Sequence, residues 1–293
     1  MNESKLKIFE EKIKNRWEEK TVKEYVRWVR KFLMSGFDED DAEVLYLWDD
    51  SLYKEGYSYN SRLVALSAVK LYQRFVAGIR KSDLPEVHEV ARGSPPEFKP
   101  KYVDISVVSK IFEEPRKLAE KEVRPWKEEV VFQHEAMLKL GYNLILRAVE
   151  LLRIRRDDVD LREGTVFIRA AKGSISRKVE IDDLTRFGIE EDPSTFECIR
   201  ELMKSRSNYL FLAYGKTRPW SSISWRNEFL RLYGRKYETN WHAFARHSPI
   251  IHRLQLGESF EDVWLRARHK NPIMTARYAA FVGRKAPRFM GGN

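Results

Sequence analysis

Apolar residues in the first part of the chain recur at helical spacing. In VKEYVRWVRKFL they fall at Val22, Tyr25, Val26, Val29, Phe32 and Leu33, with basic residues on the opposite face, the pattern of an amphipathic helix. The stretch FDEDDAEVLYLWDD opens on an acidic run, which suits a helix N-terminus because the macrodipole favours negative charge there. NSRLVALSAVKLYQRFVAGI predicts a further amphipathic helix over residues 60–79. Residues 1–91 therefore read as a bundle of short helices.

The pattern breaks at residues 92–101, RGSPPEFKPK, where three prolines and a glycine lie among basic residues. Paired prolines cannot continue a helix, and each residue before a proline is pushed to extended backbone, so this stretch is the expected linker. DISVVSKIFEEP then predicts a capped helix start, with Asp104 or Ser106 as the N-cap. VVFQHEAMLKLGYNLILRAVELLRIRRDDVDL reads as a long apolar helical region ending in a polar turn. Next, TVFIRAAKG and SRKVEI are β-branched runs joined through a glycine, a hairpin signal. Helical spacing resumes near Ser194 and continues through HAFARHSPIIHRLQLG and NPIMTARYAAFVG. The expected fold is mainly α with a small antiparallel β-sheet (α+β). The second domain is expected over residues 102–293, ending in a short tail.

Composition sharpens this picture. Of 293 residues, 43% are hydrophobic, enough for packed cores. Lys and Arg balance Asp and Glu over residues 1–93, so the whole net charge of +10 falls on the remainder. That asymmetry points to a polyanion meeting the second domain. In the helical bundle, Arg62, Lys70, Arg74, Arg80 and Lys81 are either simply solvated or a clamp on phosphates; Lys99 and Lys101 extend the basic set into the linker. One cysteine, Cys198, excludes an intramolecular disulfide and a cysteine zinc site. No apolar run is long enough to span a membrane, and MNESKLKIFEEKIK is too charged for a signal peptide. A cytoplasmic protein with no membrane partner is expected. Charged residues at 33% with only three Gln give a thermophile-like composition.

Several polar residues sit in apolar contexts. Arg147 is planted in ILRAVELL, where it must snorkel to the surface or face a buried anion; Glu150 is placed to pair with it across one turn. Lys172 closes FIRAAKG, where a lysine in a hairpin turn is ordinarily solvated. Arg246 and His247 lie in WHAFARHSPIIHRLQLG, and His269 and Tyr278 in LRARHKNPIMTARYAAF.

Taken in order, these boxes resemble the active site of the tyrosine recombinase, or phage integrase, family. ILRAVEL matches the first arginine box, Gly-Leu-Arg-x-x-Glu-Leu, with Ile145 in place of the usual glycine. Arg246-His247 matches the end of His-x-Leu-Arg-His. RHKNPIMTARY resembles the family's stretch that runs from Gly-His to Thr-x-x-Tyr, with Arg268 where glycine is usual and nine residues from His269 to Tyr278. One residue is displaced: the family histidine should fall on Ala243, whereas His242 stands one place earlier. Either the backbone adjusts there and His242 reaches the site, or the position is vacant.

The resemblance implies a tyrosine-recombinase-like catalytic domain behind a core-binding domain, acting without metal, cofactor or ATP. It implies Arg147 and Arg246 on the scissile phosphate, Lys172 as the acid for the leaving 5′ oxygen, His269 on a phosphate oxygen and Tyr278 as nucleophile. The base is His242, a water, or the arginines stabilising a phenolate directly. The implied partner is double-stranded DNA carrying attachment sites, bound as a homotetramer, with a monomer possible in solution. Phe281, Val282 and Phe289 in the tail would pack on a neighbouring subunit, or the tail frays. With the composition, the resemblance points to an archaeal mobile element. A type IB topoisomerase-like enzyme uses the same chemistry, and Ala243 leaves open a DNA-binding protein with impaired catalysis.

Overall fold

In a computed structural model of the chain, the apolar stripe in VKEYVRWVRKFL becomes α2 (Glu19–Met34), which buries Val22, Val26, Trp28, Val29 and Phe32. The structure describes residues 2–120, 128–171, 174–189, 194–205, 207–213, 216 and 218–285. The chain divides into two units, Met1–Glu97 and Phe98–Asn293.

The first unit packs α2 against α1 (Asn2–Ile13) and α4 (Tyr59–Tyr72), and α4 in turn against α3 (Val44–Lys54) and the short α5 (Val87–Val90). The acidic run precedes α3, and Asp41 Oδ1 accepts from the Glu43 amide at 2.9 Å. After α4 one π-helical turn, Gln73–Ala77, stops at Gly78, whose φ of +81° is left-handed and suits glycine. Phe32 meets Trp48 edge to face in the core, with ring centroids 5.6 Å apart.

Arg62 corrects the sequence reading. It is 2% exposed and forks onto Asp49 at 2.7 and 2.6 Å, while its Nη2 donates to the Arg92 carbonyl at 2.6 Å. A guanidinium buried this way is held by a neutralising carboxylate and is not displayed to a phosphate. Lys70 is largely covered and pairs with Glu86 at 3.0 Å. Arg74 lies exposed over Phe75.

In the second unit Asp104 caps α6 (Ile105–Glu120), its Oδ1 accepting from the Ser106 amide at 2.9 Å. α7 (Glu128–Asn143) runs through the core, buried on nearly every side. The long helix expected across ILRAVELL does not form. The chain breaks after α7 at Ile145, whose φ is +54°, and restarts as the short α8 (Ala148–Leu151), with Arg147 at its N-cap. The polar turn DDVDL supplies β1 (Val159–Asp160), which was not foreseen. It pairs antiparallel with β2 (Thr165–Ile168), which pairs with β3 (Arg177–Glu180), giving the order β1-β2-β3. Register is set by Val159 opposite Val166 and by Thr165 opposite Glu180.

Beyond the sheet come α9 (Thr195–Leu202), which places Cys198 in the core against α7, and α10 (Ser222–Phe229). Then follow α11 (Ser248–Gln255), α12 (Phe260–Ala267) and α13 (Ile273–Phe281). These last three helices close a small apolar cluster with Ile145, Ile250, Ile251, Leu254, Val263 and Tyr278. Trp241 wedges against α7 where Gly141 has no side chain; a Cβ there would sit 2.2 Å from the indole. Among the described residues, no helix is long and apolar enough to cross a membrane.

Candidate active site

Arg147 stands at the break between α7 and α8, so its side chain leaves the core instead of running along a helix. It is neither snorkelling nor facing a buried anion alone. Its Nη1 donates to Glu150 Oε1 and its amide to Glu150 Oε2, both at 2.9 Å, and about a quarter of the side chain stays open to solvent. Burial opposes ionisation of Glu150, but Arg268, Arg246 and Arg147 together hold its carboxyl below the ordinary range.

Arg246 sits in a π-helical turn, Ala243–His247. It is 1% exposed and donates to the carbonyls of Ile145 at 2.8 Å and Ala267 at 2.7 Å. Burial, then Arg147 and Arg268, pushes it down to about 9, so it is still a cation at neutral pH. A π turn closes on an i→i+5 bond and holds one more residue than an α turn; here the Ser248 amide bonds back to the Ala243 carbonyl. The extra residue between His242 and Arg246 is taken up in this turn. His242 consequently joins the cluster: its ring meets His247 edge to face at 4.6 Å. One edge of His242 stays exposed, while crowding by protein, then His247, Arg246 and Arg147, pushes it down to about 4. It is a neutral imidazole at pH 7. Ala243 itself is buried.

His269 follows α12 and donates to, or accepts from, Thr275 Oγ1 through Nδ1 at 2.8 Å. Burial, then Arg246, Arg147, Arg268 and His242, pushes it down to about 2. Among the described residues its other ring nitrogen makes no hydrogen bond. Tyr278 lies on α13, 3% exposed, with its ring parallel to His269 at 6.2 Å, against His247 at 5.7 Å and edge-on to Phe98 at 4.9 Å. Burial pushes its phenol up to about 12, opposed by Arg246 and Arg147.

Arg147, Arg246, His242, His269 and Tyr278 are therefore brought together. Lys172 lies outside the described residues. Its described neighbours flank the site: Ser174 bridges to His269, and the Ile175 amide bonds the Arg268 carbonyl at 3.2 Å. Lys99 and Lys101 are exposed, and the Lys101 carbonyl meets His247 Nδ1 at 3.1 Å. In the tail, Phe281 is exposed and Val282 half-buried; Phe289 lies outside the described residues. Sequence reasoning missed Phe98, His247 and Arg268. The first two carry no signal beyond their neighbours, whereas an arginine in the slot of a glycine was a visible departure.

The Phage integrase family matches residues 108–282, a stretch that holds every one of these residues except Phe98, Lys99, Lys101 and Phe289. The chain belongs to the phage integrase family. A relative, the tyrosine recombinase XerA of Thermococcus kodakarensis, is 28% identical over 265 residues, covering 88% of this chain and 83% of that protein. Two solved structures share the fold. A lambda integrase tetramer bound to a Holliday junction aligns with TM-score 0.68 at 16% identity, over 98% of this chain and 79% of that one. The Tn1549 transposon integrase in complex with transposon right end DNA aligns with TM-score 0.68 at 14% identity, over 98% and 96%. Both glycines that the family pattern expects, at Ile145 and Arg268, fall on left-handed backbone here, with φ of +54° and +53°. Glycine reaches that conformation at no steric cost, which accounts for its usual presence.

Proposed function

We propose that this chain is a site-specific DNA recombinase that cleaves and rejoins strands through a 3′-phosphotyrosyl intermediate. The observation that carries the reading is the placement of Tyr278 beside His269 and His247, under the electrostatic influence of Arg246 and Arg147, within a chain of the phage integrase family.

In the proposed step the Tyr278 oxygen attacks phosphorus and the bond to the 5′ oxygen breaks. Charge accumulates on the non-bridging oxygens. Arg147 and Arg246 neutralise it with planar, multi-donor guanidiniums, and the free nitrogen of His269 adds a hydrogen bond. A phenol near 12 gives up its proton only as the bond forms. His242, neutral and packed on the His247 ring that also touches Tyr278, is the base that receives it through a bridging water. Lys172 protonates the leaving 5′ oxygen. The phosphotyrosyl bond keeps the energy of the bond broken, and attack by another 5′-hydroxyl reverses the step. Tyr278 packs beside His269 and His247 of its own chain, which supports cleavage in cis. Double-stranded DNA is the partner and a homotetramer the working assembly, in keeping with the lambda integrase tetramer bound to a Holliday junction. The helical unit and the basic residues Lys99 and Lys101 grip the duplex.

The test is a randomised pool of nicked suicide duplexes, quenched in denaturant and resolved for covalent adducts. Wild type should give an adduct and Tyr278→Phe none, with DNA binding intact in both. Binding without an adduct in wild type would sink the catalytic assignment. Exchange between two plasmid-borne copies of a captured site then separates a recombinase from a DNA-relaxing enzyme.

A further inference from the structure

A third guanidinium, Arg268, is buried beside the two already assigned. It is 2% exposed and caps α12 with left-handed backbone, φ +53°, immediately before His269. Its Nη1 donates to the carbonyls of Leu144 at 2.9 Å and Arg266 at 2.7 Å. Its Nη2 donates to the Ile145 carbonyl and to Glu150 Oε2, both at 3.1 Å. We propose that Arg268 is a positioning residue for strand cleavage: a strap that fixes the turn carrying Arg147 against the segment presenting His269 and Tyr278. The inference rests on the recombinase reading above.

Backbone conformation gives the first argument. A residue with a side chain persists in this region only where its surroundings over-determine it, and the four hydrogen bonds of the Arg268 side chain are such surroundings. Orphan carbonyls give the second. Leu144 and Ile145 lie past the end of α7, where the helical ladder supplies no donor, and buried carbonyls need one. The Ile145 oxygen takes Arg246 at 2.8 Å as well as Arg268, so one atom sets two guanidiniums in register. Charge gives the third. Glu150 binds Arg147 and Arg268 together. Three guanidiniums against one carboxylate leave two positive charges, which match the dianionic pentacovalent phosphorus of the transition state.

Arg268→Gly is the informative variant, because glycine suits the backbone and removes only the strap. On a duplex captured as above, single-turnover adduct formation should fall about 30- to 100-fold with DNA affinity held within about threefold. Arg268→Lys should recover little, since one ammonium cannot span carbonyls and a carboxylate in diverging directions. Glu150 faces Arg147, Arg246 and Arg268, with His242 alongside. Losing one cation raises its carboxyl, so a second acid limb, absent from wild type and lying above that of His242, should appear in the rate, and adding Glu150→Gln should remove it. A glycine variant with the wild-type rate and pH profile overturns the proposal.

Should wild type form no adduct, the recombinase reading fails and the strap is still tested without DNA. Glu150 is held below its ordinary range, so it stabilises the fold above the unfolded carboxyl value and loses this as pH falls. The difference in Tm between wild type and Arg268→Gly should therefore shrink as pH falls from about 5 to about 2. A constant difference overturns the strap.

Discussion

At the scale of single residues, what distinguishes this site is that its imidazoles are held neutral. His269 is pushed to about 2 and His242 to about 4, while Tyr278 is pushed to about 12. A base that is already neutral loses function only when pH falls through its own value. Adduct formation should thus be flat from about pH 6 to about pH 8, drop below about pH 5, and fall again as pH rises through about 9, where Arg246 loses its charge. His242→Ala should slow it about 100-fold and abolish the acid limb. An acid limb near the ordinary histidine value, unchanged in His242→Ala, would remove His242 from the proton path. Arg147, Arg246, His269 and Tyr278 were legible through the order and spacing of the family's boxes, since each alone reads as a solvated or core side chain. Arg62 was not, since its partner Asp49 lies on a different helix and helical spacing alone turned it outward.

Among the elements, the helices of the first unit and the β2–β3 hairpin followed from periodicity alone. The break at Ile145 did not, because a β-branched residue argues against left-handed backbone and the surrounding leucines read as unbroken helix. The π turn at Ala243–His247 was equally hidden: its signature is one residue too many between His242 and Arg246, which looks like a lost histidine. That turn gives a sharp expectation. Deleting Ala243 restores the family's spacing and should let the turn close as an ordinary α turn. The shortened protein should fold and form adduct within about tenfold of wild type. Activity at or below that of His242→Ala would show that the extra residue is not simply absorbed.

At the scale of the whole molecule, charge is divided along the chain, with the +10 lying beyond residue 93. Phosphate neutralisation releases counterions, so affinity for DNA should fall about 1,000-fold between about 50 and 200 mM salt. Titration by fluorescence anisotropy at several salt concentrations checks this, and a slope near zero would argue against a phosphate-dominated interface. The first unit ends at Glu97, inside the proline-rich stretch, and Phe98, which carries no signal in the sequence that its ring meets Tyr278, already belongs to the second.

Cys198 is the only thiol in the chain and is fully buried on α9. An alkylating reagent reaches such a sulfur only when the fold around it opens. The rate of its modification in graded denaturant consequently reports the opening free energy of the second unit alone, while the first, lacking cysteine, stays silent. The protein thus carries a native gauge, needing no engineered label, for how much DNA tightens the half of the molecule that does the chemistry.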